Sequence, residues 1–346
     1  MPKRIQPAPV PSEPLQPAPI QPARIQPEPI QPEPIQPAPL IRLAPIPPAA
    51  AISVLSPASY ADPARVDRGL DHLRSLGFQP ALGLHTQTRG PLFFAGTPPQ
   101  RLADLHSAFA DPQSIIVACV RGGYGSNYLL PALDLDIFRA HPKPFFAYSD
   151  LTGIQLHLLD QLGLPAFHGP MVAADFALDD GVHLASFHSA LAGRPYTLGA
   201  SEGLRTLTPG VASGTLYGGC LSILVSLLGT PWEPATEGKL LFIEDTGAKP
   251  YQIDRMLWQL RHAGKLRNVP AIVFGEMLDC ASPGAPVDLL DQAIRGALAG
   301  LHIPIAIGLR SGHVSRQNVT LTFGVHAELH ATGDPQLRLL EAAVSQ

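Results

Sequence analysis

The chain has 346 residues, of which 45% are hydrophobic and 15% charged, with a net charge of −4. Such a chain can bury a large core and, by ordinary domain size, makes about two domains. It has no Lys/Arg run to suit a nucleic acid, no apolar run of the roughly 18 residues a membrane helix needs, and no C-x-x-C spacing among Cys119, Cys220 and Cys280 to suit a zinc site or a disulfide framework. The opening MPKRIQPAPV has no apolar stretch behind its basic residues. No secretory signal is therefore read, and the cytoplasm is the expected compartment.

Residues 1–49 stand apart. The first 48 hold 17 of the 39 prolines, in a five-residue repeat: IQPAP from Ile5, LQPAP from Leu15, then IQPAR, IQPEP, IQPEP and IQPAP from Ile20 to Pro39. Proline removes backbone donors and biases its predecessor toward extended angles. The segment is expected to be a disordered polyproline II tail, either a spacer or a ligand for a Pro-motif-binding partner.

From Ala51 the pattern alternates. AISVLSPAS reads as a buried strand, ADPARVDRGLDHLRSLG as a helix with Val66, Leu70, Leu73 and Leu76 at helical spacing and a stop at Gly77, and PALGL as a short strand. PPQRLADLHSAFAD reads as a helix with proline at its start. SIIVACV is an apolar strand running into RGGYG, and KPFFAY is another running into Ser149-Asp150 and the helix LTGIQLHLLDQLG. PAFHGPM closes the series. Strands and helices of these lengths imply βαβ units and a parallel sheet over residues 50–173. Residues 174–206 are irregular and read as a linker. Residues 207–346 resume with helix LSILVSLLG, strand KLLFIED, helix YQIDRMLWQLRHAG, strand AIVFGEM, helix DLLDQAIRGAL and the strands IPIAIGL, NVTLTFG and HAELHA. The fold class is α/β, with a second, mixed domain that has a larger antiparallel share.

Right-handed crossovers bring the C-terminal ends of parallel strands to one edge, where ligands bind. Ser149 sits at such an end, where strand meets helix. Its hydroxyl could act as a nucleophile, with the Asp150 N–H aimed at an oxyanion; a helix N-cap is the other role of such a residue. The adjacent glycines of Arg121-Gly122-Gly123-Tyr124-Gly125 let backbone approach a ligand and offer N–H groups to an anion, or simply make a tight turn. Glu244 and Asp245 end the strand KLLFIED. Alternation lets only one of them address a site, where a carboxylate can orient a histidine. His313, after the turn Arg310-Ser311-Gly312, has the side chain best suited to general-base work. His168 reads as structural or pocket-lining. No metal or cofactor motif is present.

The segments RGGYGSNYLLPALD, KPFFAYSDLTGIQLHLL, AFHGPMVAADF, LYGGCLSILVSLLGTPW, LLFIEDTGAKPYQIDRMLWQLRHAGKL, IVFGEM and IPIAIGLRSGH resemble, in order, the LD-carboxypeptidases. These form the S66 group of serine peptidases, which also holds the microcin C immunity proteins. The resemblance implies a triad of Ser149, Glu244 and His313, and oxyanion donors at the N–H of Gly123 (or Gly122) and Asp150. It implies a flavodoxin- or glutamine-amidotransferase-like N-terminal domain, a site in the cleft to the second domain, and a homodimer. The implied substrate is a peptidoglycan-derived tetrapeptide that loses D-alanine; an immunity-type hydrolase of peptidyl or aminoacyl nucleotides is one alternative, and an inert binding protein whose proline-rich tail recruits a partner is another, of a different class. Arg121, Gly122, Tyr124 and Arg316 are the candidates for substrate contact, the arginines for a terminal carboxylate. Ala147, Tyr128 and Cys220 depart from the family pattern of glycine before [YF]-S-D, arginine after GGYG, and G-G-N-L.

Overall fold

The computed structural model describes residues 38–281, 284 and 286–346. The proline repeats, except Ala38 and Pro39, lie outside the described residues. The first half runs β1 (Ala51–Leu55), α1 (Pro63–Ser75), β2 (Gln79–Leu82), α2 (Pro98–Ala110), β3 (Ile116–Cys119), α3 (Leu135–Ala140), β4 (Phe145–Ala147), α4 (Thr152–Leu162), β5 (Ala166–His168) and α5 (Leu184–Leu191). The second runs β6 (Tyr196–Leu198), β7 (Arg205–Thr208), β8 (Gly210–Cys220), α6 (Leu221–Ser226), β9 (Leu240–Glu244), α7 (Pro250–His262), β10 (Ile272–Gly275), α8 (Leu289–Ala297), β11 (Ile305–Leu309), β12 (Leu321–Phe323), β13 (His326–Ala331) and β14 (Gln336–Leu339).

Local chemistry sets these elements. Asp62 caps α1 by accepting the Ala64 N–H at 3.0 Å, and Pro63 takes the first helical position. Val66, Leu70 and Leu73 then fall on its buried side. Thr97 and Gln100 close a reciprocal capping box on α2. β3 and β4 are buried at every residue, as strands covered on both faces require.

The first sheet has the order β12-β5-β4-β3-β1-β2. Its strands β2-β1-β3-β4-β5 are parallel and in the flavodoxin order, so the crevice opens where β1 and β3 diverge. The second sheet, β6-β14-β13-β8-β9-β10-β11-β7, has a parallel centre from β8 to β11 and antiparallel strands on both sides. Helix α4 joins the two. Thr152 Oγ1 accepts the Cys220 N–H, and Asp160 accepts the Tyr217 hydroxyl at 2.7 Å.

Three expectations change. Residues 174–206 are not an irregular linker: they hold α5, β6 and the start of β7, and β6 and β7 are the edges of the second sheet. Their weak periodicity reflects short edge strands, which need little apolar length. β12 does not stay with the C-terminal half; it returns to pair antiparallel with β5, Leu321 opposite His168. The end of the proline segment is also built in. Leu43 is buried and exchanges backbone hydrogen bonds with Ala343 and Ser345, and the Ile41 N–H donates to Gly163 O. Proline density hid this, because one apolar side chain in a pocket leaves no periodic pattern. Leu43→Ala should lower stability by about 2–5 kcal/mol, read as a shifted denaturation midpoint; an unchanged midpoint would place Leu43 outside the cooperative unit.

Candidate active site

Three loops meet at the C-terminal edge of the first sheet: Ser56–Tyr60 after β1, Arg121–Gly125 after β3, and Tyr148–Ser149 after β4. Tyr148 is fully extended, and Ser149, with φ 64°, opens a single 3₁₀ turn that leads into α4. A non-glycine residue in the left-handed region costs roughly 1–3 kcal/mol and persists only where its surroundings over-determine it. Here they do: Ala147, Tyr148 and Leu151 are all buried. The strained strand-to-helix corner is that of a nucleophile elbow. Ala147 itself pairs in register with His168 as ordinary extended strand, so no glycine is required there.

The glycine loop lies directly against the serine. A Cβ on Gly122 would fall 2.9 Å from Ser149 Oγ and 3.3 Å from the Asp150 nitrogen, so any side chain would fill the space in front of both. The Tyr124 N–H is spent on Ser59 Oγ at 3.1 Å. Two buried charges hold the far end of the loop. Arg101 donates to Pro57 O and Gly125 O, at 2.6 and 2.8 Å. Asp150 accepts the Ser126 N–H at 2.8 Å, while Ser126 Oγ donates back to Asp150 O. Burial works against the charge on both groups: it pushes the Asp150 carboxyl up, partly offset by hydrogen bonds from Ser126 and Gly125 and then by Arg101, and pushes the Arg101 guanidinium down, partly offset by Asp150. Arg101 was not singled out from sequence. An arginine on an amphipathic helix looks solvent-facing until the fold buries it.

Glu244 ends β9 and is wholly buried. Its Oε2 accepts both the His313 backbone N–H at 3.1 Å and Nδ1 at 2.7 Å. Asp245 turns the other way, accepting from Ser222 N and Thr246 N, as strand alternation requires. Gly312 makes the approach possible: its φ is 89°, and a Cβ there would sit 2.6 Å from Glu244 Cδ. Asn318 fixes the same turn by accepting the Gly312 N–H and donating to Gly312 O and to Asp175. Burial disfavours a charged His313. The Glu244 charge and hydrogen bond outweigh it, with Asp245 and Asp175 adding, so the imidazole pKa lies above its ordinary value. Burial likewise pushes Glu244 up, but His313 holds it below the usual carboxylate range.

Ser149 and His313 line one cavity of about 490 Å³, with Asp62, Arg65, Arg121, Gly122, Gly123 and Tyr148 among its walls. Arg121 is therefore at the site. Arg316 is exposed in the loop after His313 and is not part of the cavity wall. Tyr124 is also outside it, packed with Phe94 and Tyr128 on the outer side of the loop. Arg65, next to the buried Val66 on α1, was missed because an arginine there looks like any surface helix residue; it lines the cavity and donates to Ala174 O. Cys220 is buried beside Ser222 and Asp245, where burial holds its thiol well above the ordinary range.

The sequence matches the LD-carboxypeptidase N-terminal domain over residues 52–169 and the LD-carboxypeptidase C-terminal domain over residues 213–329. The chain belongs to the LD-carboxypeptidase family. It is 37% identical to the probable murein peptide carboxypeptidase of Bacillus subtilis (strain 168), over 85% of this chain and 92% of that one. Among solved structures, the muramoyltetrapeptide carboxypeptidase from Oxalobacter formigenes superposes with a TM-score of 0.75 at 28% identity, covering 85% of this chain and 99% of that one. The microcin C7 self-immunity protein MccF, solved with aspartyl sulfamoyl adenosine, superposes with a TM-score of 0.80 at 25% identity, covering 88% and 100%. Among the described residues of this LD-carboxypeptidase family member, no helix is long and apolar enough to cross a membrane.

Gly122→Ala should cut kcat on the order of 10²–10³-fold in a protein that still folds, measured by turnover beside a thermal melt. A variant with wild-type turnover would show that the space before Ser149 Oγ is not used.

Proposed function

We propose that the protein is a serine carboxypeptidase that cleaves the terminal L,D-peptide bond of murein tetrapeptides and releases D-alanine. The observation that carries this is the strained Ser149 sharing a cavity with His313, whose Nδ1 is held by a buried carboxylate. In this reading Ser149 Oγ attacks the scissile carbonyl as His313 Nε2 takes its proton. The oxyanion rests on the N–H groups of Gly123 (or Gly122) and Asp150. His313 then protonates the amine of the departing D-alanine; water, deprotonated by the same imidazole, attacks the acyl carbon, the ester bond to Ser149 Oγ breaks with return of the proton to that oxygen, and the shortened peptide leaves as its carboxylate. Glu244 keeps the tautomer that leaves Nε2 free. Peptidoglycan recycling in the cytoplasm and a homodimeric state belong to the same proposal; sedimentation at working concentration tests the latter.

A carboxypeptidase must hold a terminal carboxylate. Arg121 and Arg65 line the cavity, and among the described residues neither forms an ion pair within the chain. A guanidinium without an internal ion-pair partner beside the proposed nucleophile suits that task. Arg121→Ala should raise KM roughly tenfold to a hundredfold with kcat little changed, and should erase the preference for a free over an amidated C-terminus. Retention of both would move the carboxylate site elsewhere, with Arg65→Ala as the companion measurement.

The second reading, an immunity-type hydrolase of aminoacyl nucleotides, draws on the likeness to MccF. Against it, Tyr148 is the one Phe, Tyr or Trp ring among the described cavity-lining residues. It is buried edge-on to His313, and Trp232 does not line the cavity. A nucleobase has no free face there to stack on.

Purified protein given a murein tetrapeptide should release D-alanine, and Ser149→Ala should lower the rate by at least about 10³-fold. No release by the wild type, or equal release by the variant, overturns the reading; cleavage of an aminoacyl-sulfamoyl adenosine instead supports the second. The base must be neutral, so kcat/KM should fall as pH drops through a value above the ordinary histidine range of roughly 6.5. Glu244→Gln removes the charge that raises this value. It should move the acid limb to lower pH and cut kcat on the order of 10³–10⁴-fold.

A further inference from the structure

The hydrogen-bond arrangement around Glu244 is lopsided. Oε2 takes two donors from His313, while Oε1, equally buried, has none among the described residues. A charged oxygen in a dry interior needs a donor. His168 ends β5 with no exposed surface, and both of its ring nitrogens are also without a partner among the described residues. The two groups belong to one buried layer. The His168 ring lies 5.2 Å from the ring of Phe242, which shares a face of β9 with Glu244 two residues on. It also lies 5.8 Å from Tyr148, whose ring is 5.2 Å from His313. Thr320 Oγ1, buried and likewise unpartnered, stands beside Gly169, the residue after His168.

We infer that His168 is a positioning residue for Glu244: a ring N–H donates, through one buried water, to the carboxylate oxygen that His313 does not use. The inference rests on Glu244 orienting His313 as proposed above. Burial lowers the His168 pKa to about 4, against the opposing pull of Glu244. The ring is therefore neutral at physiological pH, and offers one donor and one acceptor rather than a second positive charge. A neutral donor fixes the carboxylate plane without neutralising the charge that His313 needs. A charged donor in that place would compete with the imidazolium for Glu244.

Two substitutions test this. His168→Phe keeps a ring of similar shape and removes the donor; His168→Gln keeps an amide donor. The phenylalanine variant should lose roughly tenfold to a hundredfold in kcat with KM unchanged. Its acid limb should move to higher pH, because more negative charge is left on the oxygen facing His313, where Asp245 and Asp175 already add to the field. The glutamine variant should recover most of kcat. A folded phenylalanine variant with wild-type kcat and pH profile overturns the inference. If that variant does not fold, a wild-type crystal structure at about 1.2 Å resolution decides. A water bonded to a His168 nitrogen and within hydrogen-bond reach of Glu244 Oε1 supports the inference; an Oε1 met by another donor, or only by carbon, sinks it. This arm needs no activity, and the Ser149→Ala comparison tests the triad alone, so the two failures are separable.

Discussion

A carboxylate with no exposed surface sits at the centre of this structure, and the surrounding chain is arranged so that Glu244 can remain charged there. An isolated buried carboxylate would neutralise itself. Glu244 avoids this because the His313 turn delivers a backbone N–H and an imidazole N–H to one oxygen. That turn needs a glycine at 312 and is held in place by Asn318. Asn318 in turn reaches Asp175, on the stretch after β5. A single buried charge thus ties the end of β9, the loop after β11 and the first half of the chain into one network.

The second constraint is the corner at Ser149. Its left-handed backbone is unfavourable by itself, and the energy that holds it comes from packing around Tyr148 and Leu151 and from the grip of Asp150 on Ser126. The same aspartate holds the glycine loop through its carboxylate, and its backbone nitrogen lies 3.3 Å from where a Cβ on Gly122 would sit. Arg101 completes the hold from the other side. Rigid support of this kind is what lets N–H groups act on a developing oxyanion without reorganising at the moment of reaction.

Much of the fold was legible in advance. The strands of the first sheet and α1, α2, α4 and α7 have strong periodic or fully apolar patterns bounded by Pro, Gly and capping residues. α5, β6 and the docked Leu43 were not legible, because short edge elements and a single anchored side chain leave no repeating signal. β12 was read as a strand but not assigned to the first sheet, since pairing with β5 is a long-range event that local pattern does not encode. The site divides the same way. Ser149, Glu244, His313, Gly122 and Arg121 fall in recognisable motifs. Arg65 lies on an ordinary amphipathic helix, and Arg101 on another.

The sequence by itself determined the α/β class, the strand-end placement of Ser149 and Glu244, and the turn carrying His313, because residue type and spacing bias backbone conformation locally. Tertiary structure decided which groups meet. It placed Arg121 on the cavity wall and left Arg316 and Tyr124 outside it, buried Arg101 under the glycine loop, and left one oxygen of Glu244 in the same buried layer as His168. Those outcomes depend on which strands pair and how closely their backbones approach, and they follow from burial and close packing across the whole chain.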